Sequence, residues 1–226
     1  MRLGSLILVL ALVVMASAVM AAPVGASVTA GADQSDYTVS AGTAGVNAGQ
    51  IREVNITVQT PSNWWAGFMG TITEKEVLGN LSASQIMYEW TLSAPNSGWV
   101  YITNNTAFDW ANTATATTAD VNAQIWQAAS IPNDVNVETT FRGSCSGAGH
   151  GTIPVGAGAV TTNDGTGNPY WETCIFKDAT KGYIAFAAAV DTEGHTAFNG
   201  VTVNYQALVA AKPAASGGAT YYFFKG

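Results

Sequence analysis

The chain has 226 residues, and only 10% of them are charged: 8 Lys and Arg stand against 15 Asp and Glu, for a formal net charge of −7. A typical soluble domain has about a quarter charged residues, so Thr, Asn, Ser, Gln and Gly must cover most of this surface. The absence of any Lys or Arg cluster argues against nucleic acid and anionic membranes as partners, while the weak charge permits self-association.

The first 22 residues have the order of a secretory signal peptide. Arg2 gives a positive start, Leu6–Met15 is an uninterrupted apolar core, and small residues follow. We expect cleavage close to Ala22, a secreted or cell-surface mature protein and no membrane insertion afterwards. The alternative is an uncleaved anchor, because residues 3–20 approach the roughly 20 residues that span a bilayer.

Residues 23–50 form a segment rich in Ala, Gly, Ser and Thr, with Tyr37 as its single aromatic residue. It has too few large apolar side chains to build a core of its own. One interpretation is a flexible leader or a peripheral strand. The other is an extended arm that pairs with a sheet edge of the next subunit.

Residues 51–226 read as one domain of short strands. Arg52–Gln59 alternates apolar and polar residues, as a half-buried strand does, and Ile86–Leu92 does the same. Trp99–Thr103 follows after the turn Pro95–Gly98, so these last two segments predict a hairpin.

One helix is expected, over Asp120–Ala129, with Thr118 as its cap. Val121, Ile125 and Ala128 would lie on its buried side. Strands return with alternating Ile184, Phe186, Ala188 and Val190, then with Val201–Val209, and Tyr221–Phe224 can close a sheet. The pattern predicts an all-β fold, a jelly-roll-like β-sandwich of antiparallel strands with at most one short helix.

Cys145 and Cys174 are the only cysteines in a chain that carries an export signal, so we predict a disulfide between them. Two alternatives are weaker. Gly143–Gly147 has the spacing of a nucleophile elbow around Cys145, but the surrounding Gly-rich sequence lacks the strand-to-helix turn an elbow needs. Both cysteines with His150 and His195 could bind zinc, without the short paired spacing that makes zinc motifs specific.

Three Asn-x-Ser/Thr motifs predict N-glycosylation, at Asn55, Asn80 and Asn104. The alternation of the first strand directs Asn55 outward, where a glycan needs to be. All three sites can be glycosylated only if the chain is exported.

Oxygen-bearing side chains suggest two further sites, each with a plainer interpretation. Asn163–Asn168 with Glu172 has oxygen ligands on alternate residues, as a calcium loop would, but a plain turn fits better; we therefore expect no cofactor.

A sugar hydrolase would need two carboxylates roughly 5–10 Å apart, which sequence alone cannot identify. The candidates are Glu89, Asp109, Glu172, Asp191 and Glu193.

The seven tryptophans fall into two groups. Trp90 and Trp126 fit core faces. The other five neighbour turns or polar residues, where an exposed ring could stack on a sugar or anchor a protein contact, unless it packs into the core or a loop. These five are Trp64, Trp65, Trp99, Trp110 and Trp171.

Several aromatic and glycine motifs together resemble a group of secreted archaeal β-rich cell-surface proteins of unknown function. The motifs are Trp65–Gly70, Tyr88-Glu89-Trp90, Phe198-Asn199-Gly200, Tyr205–Val209 and Tyr221-Tyr222-Phe223. The similarity runs from about Arg52 to the end and departs in the Gly-rich stretch around Cys145. The resemblance implies an archaeal, extracellular setting and no catalytic residue.

These observations favour a non-enzymatic, N-glycosylated structural or interaction protein of the cell surface. Low charge and the N-terminal arm suggest the subunit of a filament or coat, assembled by donor-strand pairing at sheet edges. The alternative is a carbohydrate-binding module that uses the loop tryptophans. A secreted hydrolase is the third hypothesis.

Overall fold

The computed structural model describes residues 24–28, 62–80, 85–146, 156–212 and 218–226. The expected signal peptide, most of the expected arm, the predicted strand 52–59 and its Asn55 lie outside these ranges.

The described residues form short strands, a short helix and isolated helical turns. The strands are β1 Val24–Gly25, β2 Trp65–Gly70, β3 Lys75–Asn80, β4 Gln85–Thr91, β5 Trp99–Thr103, β6 Thr113–Thr115, β7 Gly143–Ser144, β8 Gly158–Asn163, β9 Pro169–Asp178, β10 Ile184–Ala189, β11 His195–Thr196, β12 Thr202–Val203, β13 Tyr205–Ala210 and β14 Tyr222–Lys225. The helical segments are α1 Thr118–Val121, which continues as a π-helix over Asn122–Trp126, a 3-10 turn Asn133–Val135, and α2 Val137–Thr140.

An eight-stranded antiparallel sheet dominates the molecule. Its strand order is β1-β14-β5-β10-β9-β8-β7, and β6 also pairs with β9. Three two-stranded sheets accompany it: β2 with β13, β3 with β4, and β11 with β12. The all-β prediction is confirmed, whereas the jelly-roll arrangement stays a prediction.

One face of the large sheet carries the main core. Ile184, Phe186 and Ala188 alternate along β10 as predicted and are buried with their neighbours on β5 and β9. Strand β13 packs over this face through Ala207 and Val209. The helical segment adds further apolar side chains to the same cluster. Burying this apolar surface supplies the main stabilising free energy of the fold.

The opposite face of the same sheet is also buried. Small residues such as Ala185 and Ala187 of β10 leave room there for the large side chains of Tyr101 and Phe176, and the loop residue Phe108 packs over them. A central strand covered on both faces loses the alternation of burial that a half-buried strand shows. This explains why β10 is buried at Ile184 through Ala188 without interruption.

The predicted helix is confirmed, with a corrected start. Thr117, not Thr118, is the N-cap: its hydroxyl accepts from the backbone N–H of Asp120, whose side chain accepts in return from the N–H of Thr117. This is a capping box. The helix ends earlier than expected because Gln127 adopts a left-handed conformation, with φ 51°.

The predicted hairpin between residues 86–92 and 99–103 is wrong. Strand β4 pairs with β3, whereas β5 pairs with β10 and β14. Residue pattern identifies strands but not their partners: β4 pairs with the strand just before it, whereas the partners of β5 lie far along the chain. The predicted closing strand at the C-terminus is confirmed as β14, next to β5.

The first described residues lie at the edge of the large sheet. Val24 is opposite Lys225 and Gly25 opposite Phe224, and the N–H of Ala26 donates to the carbonyl of Phe223 at 2.9 Å. These residues of the expected arm thus pair within their own chain. Exchange of the strand with a neighbouring subunit stays a prediction.

Candidate functional site

The β3–β4 hairpin stands apart from the two core faces. Its register runs from Lys75 opposite Thr91 to Asn80 opposite Gln85, and every residue of β4 is exposed. No third strand pairs with it in the part of the chain that the structure describes. A two-stranded hairpin is marginally stable in water on its own, so this one depends on its base or on a partner.

The base of the hairpin is tied to the body through Glu74. The N–H of Leu92 donates to the carbonyl of Glu74 at 2.9 Å, and the N–H and side-chain amide of Asn96 donate to its Oε2 at 3.1 and 2.8 Å. Nζ of Lys225, on β14, lies 3.3 Å from its Oε1. These contacts hold the base of the hairpin against the large sheet. The residues of the hairpin beyond its base are exposed to solvent.

One face of the hairpin is largely apolar and aromatic. Tyr88 and Trp90 lie on this face of β4, with Leu78 and Glu76 opposite them on β3, whereas Ile86 lies opposite Gly79 beyond a register shift and is not part of it. Tyr88 is 58% exposed and Trp90 47%, and their rings lie 4.8 Å apart at 61°. We call Leu78, Tyr88 and Trp90 the apolar hairpin face. Contiguous exposed apolar patches on soluble proteins mark interaction sites.

The reverse face of the hairpin is mixed. Nζ of Lys75 lies 2.7 Å from Oε1 of Glu89, Val77 is half-buried, and Met87 is 83% exposed. Charged side chains are well solvated, and an exposed ion pair contributes little to stability. The reverse face can therefore remain in water. The apolar hairpin face is therefore the side with the stronger drive to be covered.

The register of the hairpin shifts once along its length. Leu78 lies opposite Tyr88, but the next residue, Gly79, lies opposite Ile86, so Met87 of β4 is the extra residue of a bulge. Gly79 has φ +155°, and Gln85 O is only 2.3 Å from where a Cβ would lie. The bulge disturbs the edge of β4 and impedes the pairing of a further strand there.

The tryptophans are distributed differently from the sequence prediction. Trp99 is 9% exposed and Trp171 only 2%, so neither can offer a ring face to a sugar. The remaining three candidates, Trp64, Trp65 and Trp110, are half-buried against core clusters. Core positions were predicted for Trp90 and Trp126. Trp126 is buried as predicted, but Trp90 is exposed, which corrects that prediction.

A cleft of about 380 Å³ opens beside the ends of β9 and β10. It is lined by Ser97, Tyr170, Trp171, Glu172, Ala189, Val190, Asp191 and Thr192. The ring of Tyr170 stacks on His195, with ring centres 4.1 Å apart, and its hydroxyl donates to Asp191 at 3.2 Å. Nε1 of Trp171 is buried and makes no hydrogen bond with the described residues. Tyr170 was not among the sequence candidates; its position just after the turn Asn163–Asn168 was the available signal.

Asp191 organises one wall of this cleft. Its Oδ1 accepts from the backbone N–H groups of Glu193 and Gly194, and its Oδ2 lies 2.6 Å from Nδ1 of His195. Burial disfavours its charged form, but these hydrogen bonds and that from Tyr170 outweigh burial and lower the pKa of Asp191. A carboxyl held in its charged form is unsuited to be the general acid of a glycosidase.

Three of the other four proposed carboxylates also have hydrogen-bond or ion-pair partners; the fourth, Glu193, contributes its backbone N–H to Asp191. Asp109 accepts from Ala111 and Asn112 in its own turn, and the side chain of Asn112, then the backbone of Ala111, lower its pKa. Glu172 lines the cleft with Asp191, and its Oε1 accepts from the N–H of Ser146 at 2.8 Å. Glu89 is paired on the hairpin. Of the five, only Glu172 and Asp191 share a cleft.

Cys145 and Cys174 form the predicted disulfide, with Cα atoms 5.5 Å apart. It joins the segment after edge strand β7 to β9, and Glu172 lies beside it. The elbow interpretation is wrong, since the sulfur of Cys145 is bonded to Cys174 and is not free to act as a nucleophile. The same bond removes both sulfurs as zinc ligands; His150 lies outside the described residues.

The turn proposed as a calcium loop is closed by its own donors. Oδ1 of Asp164 accepts from the N–H and hydroxyl of Thr166 and from the N–H of Asn168, at 2.7 to 2.9 Å. The hydroxyl of Thr166 is the main cause of the lowered pKa of Asp164. The contacts match the plain-turn interpretation.

Two of the three glycosylation motifs fall in the described part. Asn80 ends β3, near the tip of the hairpin. Asn104 follows β5 and is half-buried; its Oδ1 accepts from the N–H of Ile184 at 3.0 Å. A glycan on Asn104 would have to leave this hydrogen bond in place.

No family model, curated protein or solved structure matches the chain. The archaeal resemblance therefore stays a prediction. Within the described ranges, no helix combines the length and apolar character needed to cross a bilayer.

Proposed function

We propose that the mature protein is a non-enzymatic structural or interaction protein of the cell exterior, and that copies of it associate through the β3–β4 hairpin. The observation that carries the proposal is the exposure of every residue of β4, with Tyr88 and Trp90 aligned on one face beside Leu78 of β3. A solvated hairpin gains stability when this face is covered.

Three further features support the proposal. The surface has few charges, so copies repel each other weakly. The disulfide fits an oxidising compartment, in agreement with the expected signal peptide. The candidate catalytic groups are occupied: the cysteines are bonded to each other, and Asp191 and Asp109 are held in charged form by local hydrogen bonds.

The direct test compares hairpin variants with a matched exposed pair. Light scattering after gel filtration should show the wild-type secreted protein associating as its concentration rises, and negative-stain microscopy should show the assemblies. Tyr88→Ser with Trp90→Ser should leave monomers. Phe198→Ser with Val201→Ser removes exposed apolar residues from another hairpin and should leave association unchanged. A monomeric wild type at all concentrations would refute self-association.

Secretion and modification are tested separately by the intact mass of the protein from the extracellular fraction. We expect a new N-terminus close to Ala22, the loss of two hydrogens for the disulfide, and added mass at the glycosylation motifs. An unprocessed N-terminus would indicate an anchored protein rather than a secreted one. A mass without glycans would remove glycosylation from the proposal but leave self-association standing.

The cleft at Tyr170 favours a second candidate function, binding of a sugar. Binding sites combine an aromatic face with a few converging polar groups, and here Tyr170 is joined by the side chains of Ser97, Glu172 and Thr192. A glycan array should then give hits that Tyr170→Ala removes and that Tyr222→Ala, a similarly exposed tyrosine on β14, retains. An empty array would refute this function; released sugar would indicate a hydrolase instead.

A further inference from the structure

We infer that the predicted strand Arg52–Gln59 lies antiparallel along the free edge of β2 in its own chain, with Ile56 opposite Phe68. It would be the third strand of the β2–β13 sheet, on the side of β2 away from β13. The segment itself lies outside the described ranges, and the surface that would receive it lies within them. The inference does not depend on the association proposed for the hairpin.

Strand β2 pairs on one side only. The carbonyl of Trp64, just before β2, accepts from the N–H of Ala211, just after β13, at 2.8 Å. Backbone groups alternate between the two sides of a strand, so those of Trp65, Gly67 and Met69 point to the other edge. No strand pairs with that edge in the part of the chain that the structure describes. Such an edge is a template for a further strand.

One side of the β2–β13 sheet is covered at β13 and open at β2. Val209 lies opposite Ala66, and Ala207 opposite Phe68, so each pair shares this side. Val209 and Ala207 are 0% and 1% exposed, whereas Ala66 is exposed and Phe68 only half-buried. The ring of Phe68 lies 5.1 Å from that of Phe223, so this side faces β14 of the large sheet. Apolar side chains beside Ala66 and Phe68 would complete the cover.

The chain turns at Ser62, on the free side of β2. The Oγ of Ser62 accepts from the N–H groups of Trp64 and Trp65, at 3.2 and 3.1 Å, and the backbone bends at Asn63 and Trp64. Because the N–H of Trp65 points to the free edge, Ser62 lies on that side. Only two residues separate Ser62 from Gln59. The segment before the turn therefore arrives at the free edge of β2.

The register follows from the side that needs cover. Residues 60–64 would form a five-residue hairpin loop, which is a common length. Val58 then lies opposite Ala66, and Ile56 opposite Phe68, so two apolar side chains cover the open side. A shift by one residue would turn both of them to the other side of the sheet.

The same segment of a second copy is the alternative occupant of this edge. The short connection at Ser62 gives the segment of the same chain a high effective concentration at β2, whereas a second copy must first bind. The segment of the same chain is therefore favoured. Once paired, it would remove the edge of β2 as a template for association.

Paired cysteines test the register. Val58→Cys with Ala66→Cys places two thiols on a directly opposite, non-hydrogen-bonded pair, the kind with the closer side chains. Mild oxidation should join them within one chain, as measured by the loss of two hydrogens and by a linked peptide after proteolysis. The matched control is Gln59→Cys with Ala66→Cys, whose side chains would lie on opposite sides of the sheet and should remain free thiols. Bonding in both variants, or in neither, would overturn the inference.

The size of the oxidised product distinguishes the two occupants. In dilute protein, Val58→Cys with Ala66→Cys should remain a monomer on a non-reducing gel. Covalent dimers would show that the segment comes from a second copy and would overturn pairing within one chain. Adding Tyr88→Ser and Trp90→Ser should leave the cross-link unchanged, so hairpin association and this pairing can each fail without the other.

A charge on either side of the segment tests the same register without cysteine chemistry. Val58→Asp would place a carboxylate on the covered side, beside Ala66, and should lower the melting temperature by about 5 °C or more. Gln59→Asp places the same charge on the other side of the segment and should change it by less than about 2 °C. Equal melting temperatures would overturn the inference.

Discussion

Lys177 on β9 holds Asp120 of α1, with 2.8 Å between its Nζ and the Oδ1 of the carboxylate. The other oxygen of Asp120 accepts from the N–H and hydroxyl of Thr117, the N-cap. One carboxylate thus caps the helix and fastens it to the large sheet. Its loss should affect both contacts together.

Asp120→Asn should destabilise the fold in a pH-dependent way. Burial raises the pKa of Asp120, but the hydrogen bonds from Lys177 and Thr117 outweigh burial and lower it from 3.8. A carboxyl with a lowered folded-state pKa stabilises above its unfolded pKa, and this contribution is lost as the pH falls through the folded pKa. We expect a loss of about 1 kcal/mol at pH 7 in urea unfolding, and a loss that shrinks as the pH is lowered through the folded-state pKa of Asp120.

The control for this variant is Asp134→Asn, which changes an exposed carboxylate in the 3-10 turn. Its unfolding free energy should match that of the wild type at pH 7. An equal loss for Asp120→Asn at pH 7 and at the lowest pH at which the wild type still folds would contradict the assigned role of its charge.

Replacing both cysteines, Cys145→Ser with Cys174→Ser, should lower the free energy of unfolding. The disulfide spans 29 residues, and closing a loop of that length restricts the unfolded chain by about 3–4 kcal/mol in the chain-entropy account. Cys174 is fully buried, so a serine hydroxyl there adds a desolvation cost. Urea midpoints with and without reductant provide the measurement: reductant should destabilise the wild type and leave the variant unchanged.

Alternation identified several strands correctly but did not reveal what covers them. Ile184, Phe186 and Ala188 alternate in β10 and are fully buried, whereas Tyr88 and Trp90 alternate in β4 and are exposed. The two patterns are indistinguishable in sequence. The difference arises because β10 lies between β5 and β9, and β4 pairs only with β3 among the described residues.

The candidate site was harder to predict than the fold for the same reason. Trp99 stands beside a turn, which suggested an exposed ring, yet its strand pairs with β10, some 85 residues further along the chain. Such contacts are set by the topology of the sheet, which local pattern does not encode. The disulfide was predictable, because an export signal and only two cysteines leave a single pairing.

Gly98→Ala should be among the most destabilising alanine substitutions at a glycine. Gly98 has φ +138°, and an added Cβ would lie 2.2 Å from the carbonyl oxygen of Gly226. That carbonyl accepts from the N–H of Trp99, so it cannot move without loss of a hydrogen bond. Gly200→Ala is the control, since Gly200 has φ +82° and open space around it.

The cost of Gly200→Ala should be about 1 kcal/mol, from backbone strain alone. For Gly98→Ala we expect at least about 2 kcal/mol more, because steric overlap with backbone adds to strain. Thermal melts of the two variants, followed by circular dichroism, provide the comparison. Similar melting temperatures would contradict the close approach of Gly98 to the C-terminus.

Trp90 should dominate the quenching of tryptophan fluorescence by acrylamide in dilute protein. It is the exposed member of the seven tryptophans, all of which lie in the described ranges. Trp90→Phe should therefore reduce the quenching slope strongly, whereas Trp110→Phe, which removes a half-buried ring, should change it little. As concentration rises, association through the apolar hairpin face would shield Trp90, so the wild-type slope should fall toward that of Trp90→Phe. A slope independent of concentration, in samples that light scattering shows to be associated, would exclude the apolar hairpin face from the contact.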